Sequence, residues 1–244
     1  VAMADADGGD GVDGLASQLI AALSTRGEAG LRAISERCGD GALALPLLSA
    51  EACAAMEQEV HAYIASRPLC SRIEINETTM GAMPVTARIA QVLFERLLPR
   101  LCPVLGGKFA STPLCNQHKV YVLRYSHEGG LTFGERVFVP HTDDSDVTLN
   151  VAFGCCSGWA GSDLVYIEST GSDGRPGTPN LATSATHRHS HSLGTAVLHG
   201  EGAYHYVEPL ISGERLSLLV LAMRDDAEWK HTYLGSAGAP QDGS

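Results

Sequence analysis

The stretch from residue 117 to residue 224 constrains the fold more than any other part of the chain. It is a run of short apolar segments that alternate in character and are separated by Gly- and Pro-containing turns. In residues 118–125, Val120 and Val122 oppose Tyr121 and Leu123. In residues 147–153, Val147, Leu149, Val151 and Phe153 alternate with Thr148, Asn150 and Ala152. Further strands are expected at 136–139, 163–168, 195–199, 204–207 and 216–223, the first ending at Pro140. A period of two puts successive side chains on opposite faces of a strand. Many short strands of this kind, joined by tight turns, build a sandwich or a jelly roll.

The chain before this stretch has a different texture. Residues 12–101 read as helical, beginning with Leu15, Leu19 and Leu23 and then Leu31 and Ile34. Ser49, followed by Ala50, Glu51 and Ala52, opens a second helix with an acid in its first turn, running to about Ser66 and stopping before Pro68. A third opens at Pro84, with Val85, Ile89, Val92, Leu93 and Leu97 on one face, and Pro99 ends or kinks it. These helices read as scaffold. Residues 169–192 read as a polar Gly/Ser/Thr/Pro-rich loop. The expected organisation is a disordered segment at 1–13, a single domain at 14–230 and a tail at 231–244. Within the domain, helical support covers about 14–101 and the strand-built core about 115–224.

A length of 244 residues suits one domain with a substantial core. The net charge of −11 disfavours a phosphate-rich partner, so no nucleic acid is expected. No apolar run reaches the ~18–20 residues that cross a bilayer, and residues 1–14 lack the basic and apolar regions of a signal peptide. The seven cysteines include no CxxC pair and read as reduced thiols, which makes a cytoplasmic location the expectation.

Two segments carry chemistry. In the first, His141 and Asp143 form an H-x-D pair. In extended chain, residues two apart share a face, so this imidazole and carboxylate can grip one metal ion from one side. In the second, His205 is followed ten residues later by Arg215 and then by Ser217. Arg215 and Ser217 share the inward face of a strand, and Leu216 and Leu218 share the other. A buried Arg needs an anionic partner. A dicarboxylate fits, because a guanidinium binds carboxylate as a bidentate fork and the Ser hydroxyl adds a hydrogen bond. Two His and one carboxylate are also the donor set that leaves open positions on Fe(II).

The order H-x-D, then H-x3-P-x3-G-x-R, resembles the prolyl and lysyl hydroxylase branch of the Fe(II)/2-oxoglutarate dioxygenases. Residues 147–153 and then Trp159, Gly161, Ser162, Asp163, Leu164 and Tyr166 are similar to that family's strand, turn and strand. Val122, Leu123, Arg124 and Tyr125 resemble the strand whose Tyr contacts the cosubstrate, and residues 47–53 resemble the helix before the barrel. The resemblance implies a double-stranded β-helix (jelly roll) preceded by a helical region. It implies iron on His141, Asp143 and His205, with 2-oxoglutarate anchored by Arg215 and touched by Tyr125 and Ser217. Asn150, inward with Thr148 and Ala152, is a further cosubstrate candidate. The implied activity is hydroxylation of an unactivated C–H bond, with release of succinate and CO2 and stimulation by ascorbate. The implied substrate is a prolyl or lysyl side chain of a protein. Alternatives are a small-molecule oxygenase acting on a free amino acid or natural product, and a non-catalytic jelly-roll binding module. Nucleic-acid demethylation is weakened by the acidic charge.

The chain departs from the family in three places: the loops at 126–138 and 169–192 are enlarged, and Ser162 stands where Gly is usual. His199 reads as a strand-end histidine. His187, His189 and His191 read as a solvated cluster rather than a second metal site, and Asp144 and Asp146 as rim residues.

Overall fold

The computed structural model describes residues 14–39, 41–67, 72–110, 114–126, 139–155, 157–168, 179 and 182–224. The expected strand at 136–138, the segment at 1–13 and the tail at 231–244 lie outside the described residues. In chain order the elements are α1 (Ser17–Thr25), α2 (Gly27–Ile34), β1 (Glu36–Gly39), β2 (Ala42–Pro46), α3 (Ala50–Ile64), β3 (Arg72–Glu74), α4 (Glu77–Met80) and α5 (Pro84–Val92). A π-helical turn at Leu93–Leu97, α6 (Leu98–Leu105) and a 3-10 turn at Gly107–Ala110 follow. The second half contains β4 (Leu114–Ser126), β5 (Val147–Gly154), β6 (Trp159–Gly161), β7 (Leu164–Ile167), β8 (Thr186–His189), β9 (Thr195–Gly200), β10 (Tyr204–Val207) and β11 (Leu210–Arg224).

The strands form two antiparallel sheets. The major sheet runs β1-β2-β9-β5-β11-β4-β3, with β6 added to the start of β11, and the minor sheet runs β10-β7-β8. One face of the major sheet packs against the helices. Val147, Leu149, Val151, Phe153, Leu216, Leu218 and Val220 meet Leu19, Met56, Val60, Leu93 and Leu98 there. The other face meets the minor sheet, joining Tyr121, Leu123, Tyr125 and Val197 to Leu164, Tyr166 and Val207. The result is a jelly roll backed by helices, the double-stranded β-helix architecture. All eight residues of β5 are buried because helices cover one face and the minor sheet covers the other. Each fully buried Leu or Phe contributes about 1.5–3 kcal/mol to that core.

The structure corrects the sequence reading in three places. Strands β1, β2 and β3 come from the region read as helical. Residues 42–46 pair with β9 (Ala44↔Val197), and β3 pairs with β4 (Ile73↔Val122). The helix from Pro84 is disturbed next to Pro99 and not ended there, the second of the two outcomes expected. The ladder widens to the π turn at Leu93–Leu97, which accommodates the missing donor and the ring of Pro99, and continues to Leu105. The strand expected at 216–223 starts earlier, because β11 begins at Leu210 and pairs with β6 before entering the major sheet. There Gly213 has φ +79, and a Cβ on it would meet the Gly158 carbonyl oxygen at 2.5 Å, so only Gly fits. Finally, part of the expected loop at 169–192 is the strand β8, paired to β7 (Val165↔Arg188).

Among the described residues no helix is long and apolar enough to cross a membrane. Cys38, Cys53, Cys102 and Cys155 are free thiols. Burial pushes the Cys38 and Cys102 thiols up to about 12.

Candidate metal and anion site

The interior between the two sheets is polar at both ends. At one end, His141 and His205 are held together by backbone: each N–H donates to the other's carbonyl at 2.9 Å. Each ring is then fixed by its own chain. His141 Nδ1 lies 2.8 Å from the Val139 carbonyl oxygen, and His205 Nδ1 lies 2.9 Å from that of Ala203. A carbonyl only accepts, so both Nδ1 atoms carry a proton, and Nε2 is the atom each ring offers as a ligand. Asp143 Oδ1 is 3.7 Å from His141 Nε2 and 3.9 Å from His205 Nε2. One donor atom from each of these three side chains lies within 4.8 Å of the others. No other such group of three exists among the described residues.

The second oxygen of Asp143 is braced. Its Oδ2 accepts from the Thr148 hydroxyl at 2.6 Å and lies 3.4 Å from His199 Nε2. Because Thr148 spends its one proton there, Ser145 is the donor in the 2.8 Å contact between the two hydroxyls. Thr148 and His199 are cross-strand partners on β5 and β9, so the sheet register delivers both to Asp143. Burial opposes ionisation of Asp143, but His199, His205, the Thr148 hydroxyl and His141 outweigh it and hold the carboxyl below its ordinary range. Burial lowers His205, and burial together with neighbouring His205 lowers His199 to about 4. An ionised carboxylate beside neutral imidazoles is the protonation state that ligates a cation.

The opposite end holds Arg215, fully buried on β11 beside Tyr125 of β4, with which it is in register. Its guanidinium carbon sits 4.3 Å from the Tyr125 ring centroid. Nη1 donates to the Ser162 carbonyl at 2.7 Å. Nε and Nη2 are buried and have no hydrogen-bond partner among the described residues. Burial lowers the Arg215 pKa, against the pull of Tyr125 and Asp163. The Ser217 hydroxyl, the Asn150 side-chain oxygen and the Tyr166 hydroxyl are likewise buried without partners. Leaving a buried polar group unpaired costs about 1–3 kcal/mol, and a charged one more. The departure at Ser162 is structural: it adopts φ 60, the left-handed region that favours Gly, and in that pose its carbonyl meets Arg215.

The structure therefore brings together His141, Asp143 and His205, and, separately, Tyr125 and Arg215, with Ser217 two residues along β11 and Asn150 on the neighbouring strand β5. Several residues have other surroundings than expected. His199 is a buried neighbour of Asp143. Asp146 is no rim residue: it is buried and accepts from the Arg224 backbone N–H at 2.8 Å, pinning the end of β11. The cluster read as solvated divides. His187 is exposed and pairs with Glu168 at 2.7 Å. His191 is 7% exposed, with both ring nitrogens buried and unpartnered, and His189 Nε2 is unpartnered too. The alternation of three His at 187, 189 and 191 was the available signal, since two is the period of a strand.

No protein-family model matches the chain, and no curated protein matches it by sequence. Solved structures match by fold. A crystal structure of prolyl 4-hydroxylases from Phytophthora capsici superposes with a TM-score of 0.60 at 14% identity, covering 98% of this chain and 72% of that one. AviO1 from Streptomyces viridochromogenes Tue57 superposes with a TM-score of 0.52 at 16% identity, covering 77% of this chain and 91% of that one. SnoK, a non-heme alpha ketoglutarate dependent carbocyclase from nogalamycin biosynthesis, gives a TM-score of 0.51 at 12% identity, with 91% and 94% covered.

Proposed function

We propose that this chain is an Fe(II)- and 2-oxoglutarate-dependent dioxygenase and that residues 14–230 form its single oxygenase domain. One pairing of observations carries the reading: a His/Asp/His donor set is braced from Thr148 near the start of β5, and a buried guanidinium with N–H groups unpaired among the described residues lies on β11 beside the end of β5. The donors suit Fe(II), being two neutral imidazoles and one carboxylate that leave positions open. The unpaired N–H groups of Arg215 suit a dicarboxylate whose far end accepts from them.

In this reading His141, Asp143 and His205 hold the iron, and the carbonyls of Val139 and Ala203 keep both Nε2 atoms aimed at it. Thr148 and His199 hold Asp143 in one rotamer. Arg215 anchors the far carboxylate of 2-oxoglutarate, with Tyr125, Ser217 and Asn150 along its length. Iron with O2 and 2-oxoglutarate supplies the oxidising power to hydroxylate an unactivated C–H bond, releasing succinate and CO2.

The substrate we favour is a prolyl or lysyl side chain of a protein, with ascorbate sustaining turnover. The 0.60 TM-score to the Phytophthora prolyl 4-hydroxylases supports this, as does the motif order around His205 and Arg215. A small-molecule substrate is the second reading, supported by the fold match to SnoK over 91% of the chain. The test is anaerobic addition of Fe(II) and 2-oxoglutarate, watched for a visible charge-transfer band. Air is then admitted with peptide pools or with free amino acids and polyketides, and succinate is measured with and without ascorbate. The band followed by peptide-dependent succinate supports the first reading, and small-molecule dependence supports the second. Absence of both the band and succinate removes the oxygenase assignment.

A further inference from the structure

His191 has no role in the reading above, yet it is among the most enclosed polar side chains in the molecule. It lies just beyond β8, ahead of the turn into β9. Both ring nitrogens are buried, and neither has a partner among the described residues. Its ring packs edge-to-face on His189, with centroids 5.1 Å apart. The β7–β8 pairing sets His189 opposite Leu164, two residues from Ser162, whose carbonyl accepts from Arg215 Nη1 at 2.7 Å. Two imidazoles and a guanidinium thus lie along one polar wall, and each keeps at least one buried nitrogen without a partner among the described residues.

An imidazole has one N–H and one lone pair when neutral, and leaving both unpaired in a closed interior is costly. Burial, reinforced by Arg215 and His189, holds His191 well below its ordinary pKa, so it offers a hydrogen bond and no second charge. The partner that satisfies the unpaired N–H groups of this set is an anion with several acceptor oxygens. A carboxylate has about four lone-pair sites and can accept from Arg215 and from an imidazole together.

We propose that His191 donates a second hydrogen bond to the carboxylate anchored by Arg215, with His189 holding its ring in place, so that this wall selects a dicarboxylic over a monocarboxylic 2-oxo acid. The proposal rests on the cosubstrate reading given above.

The experiment uses the whole chain loaded with Zn(II), which binds without turnover. It is titrated calorimetrically with 2-oxoglutarate and with 2-oxobutyrate, which lacks the far carboxylate. The wild type is expected to prefer 2-oxoglutarate by at least about tenfold, the scale of a hydrogen bond to a charged group. His191→Leu should weaken 2-oxoglutarate by about tenfold and leave 2-oxobutyrate within about twofold. His191→Gln keeps a donor and should recover most of the loss. Equal weakening of both acids, or no change in either, overturns the role of His191 and leaves that of Arg215 standing. Failure of the wild type to bind 2-oxoglutarate overturns both. If His191→Leu does not fold, the wild type alone decides the matter by nitrogen NMR. The His191 ring signals, identified by their loss in His191→Gln, should move with 2-oxoglutarate and stay with 2-oxobutyrate, and unmoved signals overturn the proposal.

Discussion

The two ends of the intersheet space are both polar, but only one is internally satisfied. At the His141/Asp143/His205 end each candidate ligand has its own support: carbonyls hold the two Nδ1–H groups, and Thr148 and His199 hold the second oxygen of Asp143. At the Arg215 end one N–H donor pairs with Ser162, and the remaining buried polar atoms of Arg215, Ser217 and His191 have no partner among the described residues. The difference reflects what each end must do. A metal site needs its donors fixed before the ion arrives, because their number and geometry select it. An anion site needs unpaired donors, because the ligand itself is to complete them.

The largest effect that tests this contrast is Asp143→Ala. It removes a ligand from a site whose other members are fixed independently, so the fold should survive. Fe(II) affinity should fall by more than about 100-fold, beyond the usual loss from a supporting partner, and succinate production should cease. Thermal unfolding and metal titration check both halves. Succinate at the wild-type level from this variant would break the assignment of that end.

Arg215→Met probes the other end, and its two readouts should move in opposite directions. The apparent requirement for 2-oxoglutarate should rise about 100-fold, with Fe(II) affinity changed by less than about threefold. Without 2-oxoglutarate, the variant should be more stable than the wild type by about 1 kcal/mol or more, because an under-paired buried charge is replaced by an apolar chain of similar length. Lower stability in denaturant would mean that Arg215 already has a partner and that the asymmetry between the ends is false.

The contrast also explains what could be read from the sequence. The three proposed ligands and Arg215 could be singled out because they are marked by spacing: H-x-D, and His205 ten residues before Arg215. Their supports could not be. His199 and Thr148 meet only through the pairing of β9 with β5, a contact made across about fifty residues. Residues 42–46 carry the Ala/Leu alternation of a strand, but so short a run does not exclude helix, and only the β9 edge decides it. His191 was misread for a related reason. Polar composition indicates solvent unless something covers the segment, and here the cover is a second sheet. The fold class was legible because the alternation of β4, β5 and β11 is local and long.

Thr148→Val is the next test in size. It preserves volume and removes only the hydroxyl that donates to Asp143 at 2.6 Å. Metal affinity should fall by about tenfold, the usual loss when a supporting partner is removed, and 2-oxoglutarate binding to the metal-loaded protein should change by less than about twofold. An effect as large on 2-oxoglutarate as on metal would show that the two ends are not independent.

The smallest expected effect is on stability against pH, and it separates the ends through His191. Burial holds this ring well below its ordinary value, with Arg215 on β11 and His189 adding to it. In the unfolded chain it takes up a proton near ~6.5. Between that value and the lower folded one, the unfolded state binds more protons, so the contribution of His191 is complete above ~6.5 and is lost as the pH falls. One proton limits the slope to about 1.4 kcal/mol per pH unit. Thermal midpoints measured without metal or 2-oxoglutarate should therefore fall from pH 7 to pH 5 more steeply in the wild type than in His191→Leu. His189 stays in both proteins and contributes a residual slope of the same sign, since burial lowers it too while Glu36 and Asp163 partly oppose. Parallel curves would mean that His191 is not held neutral, and the anion end would then carry more positive charge than Arg215 alone.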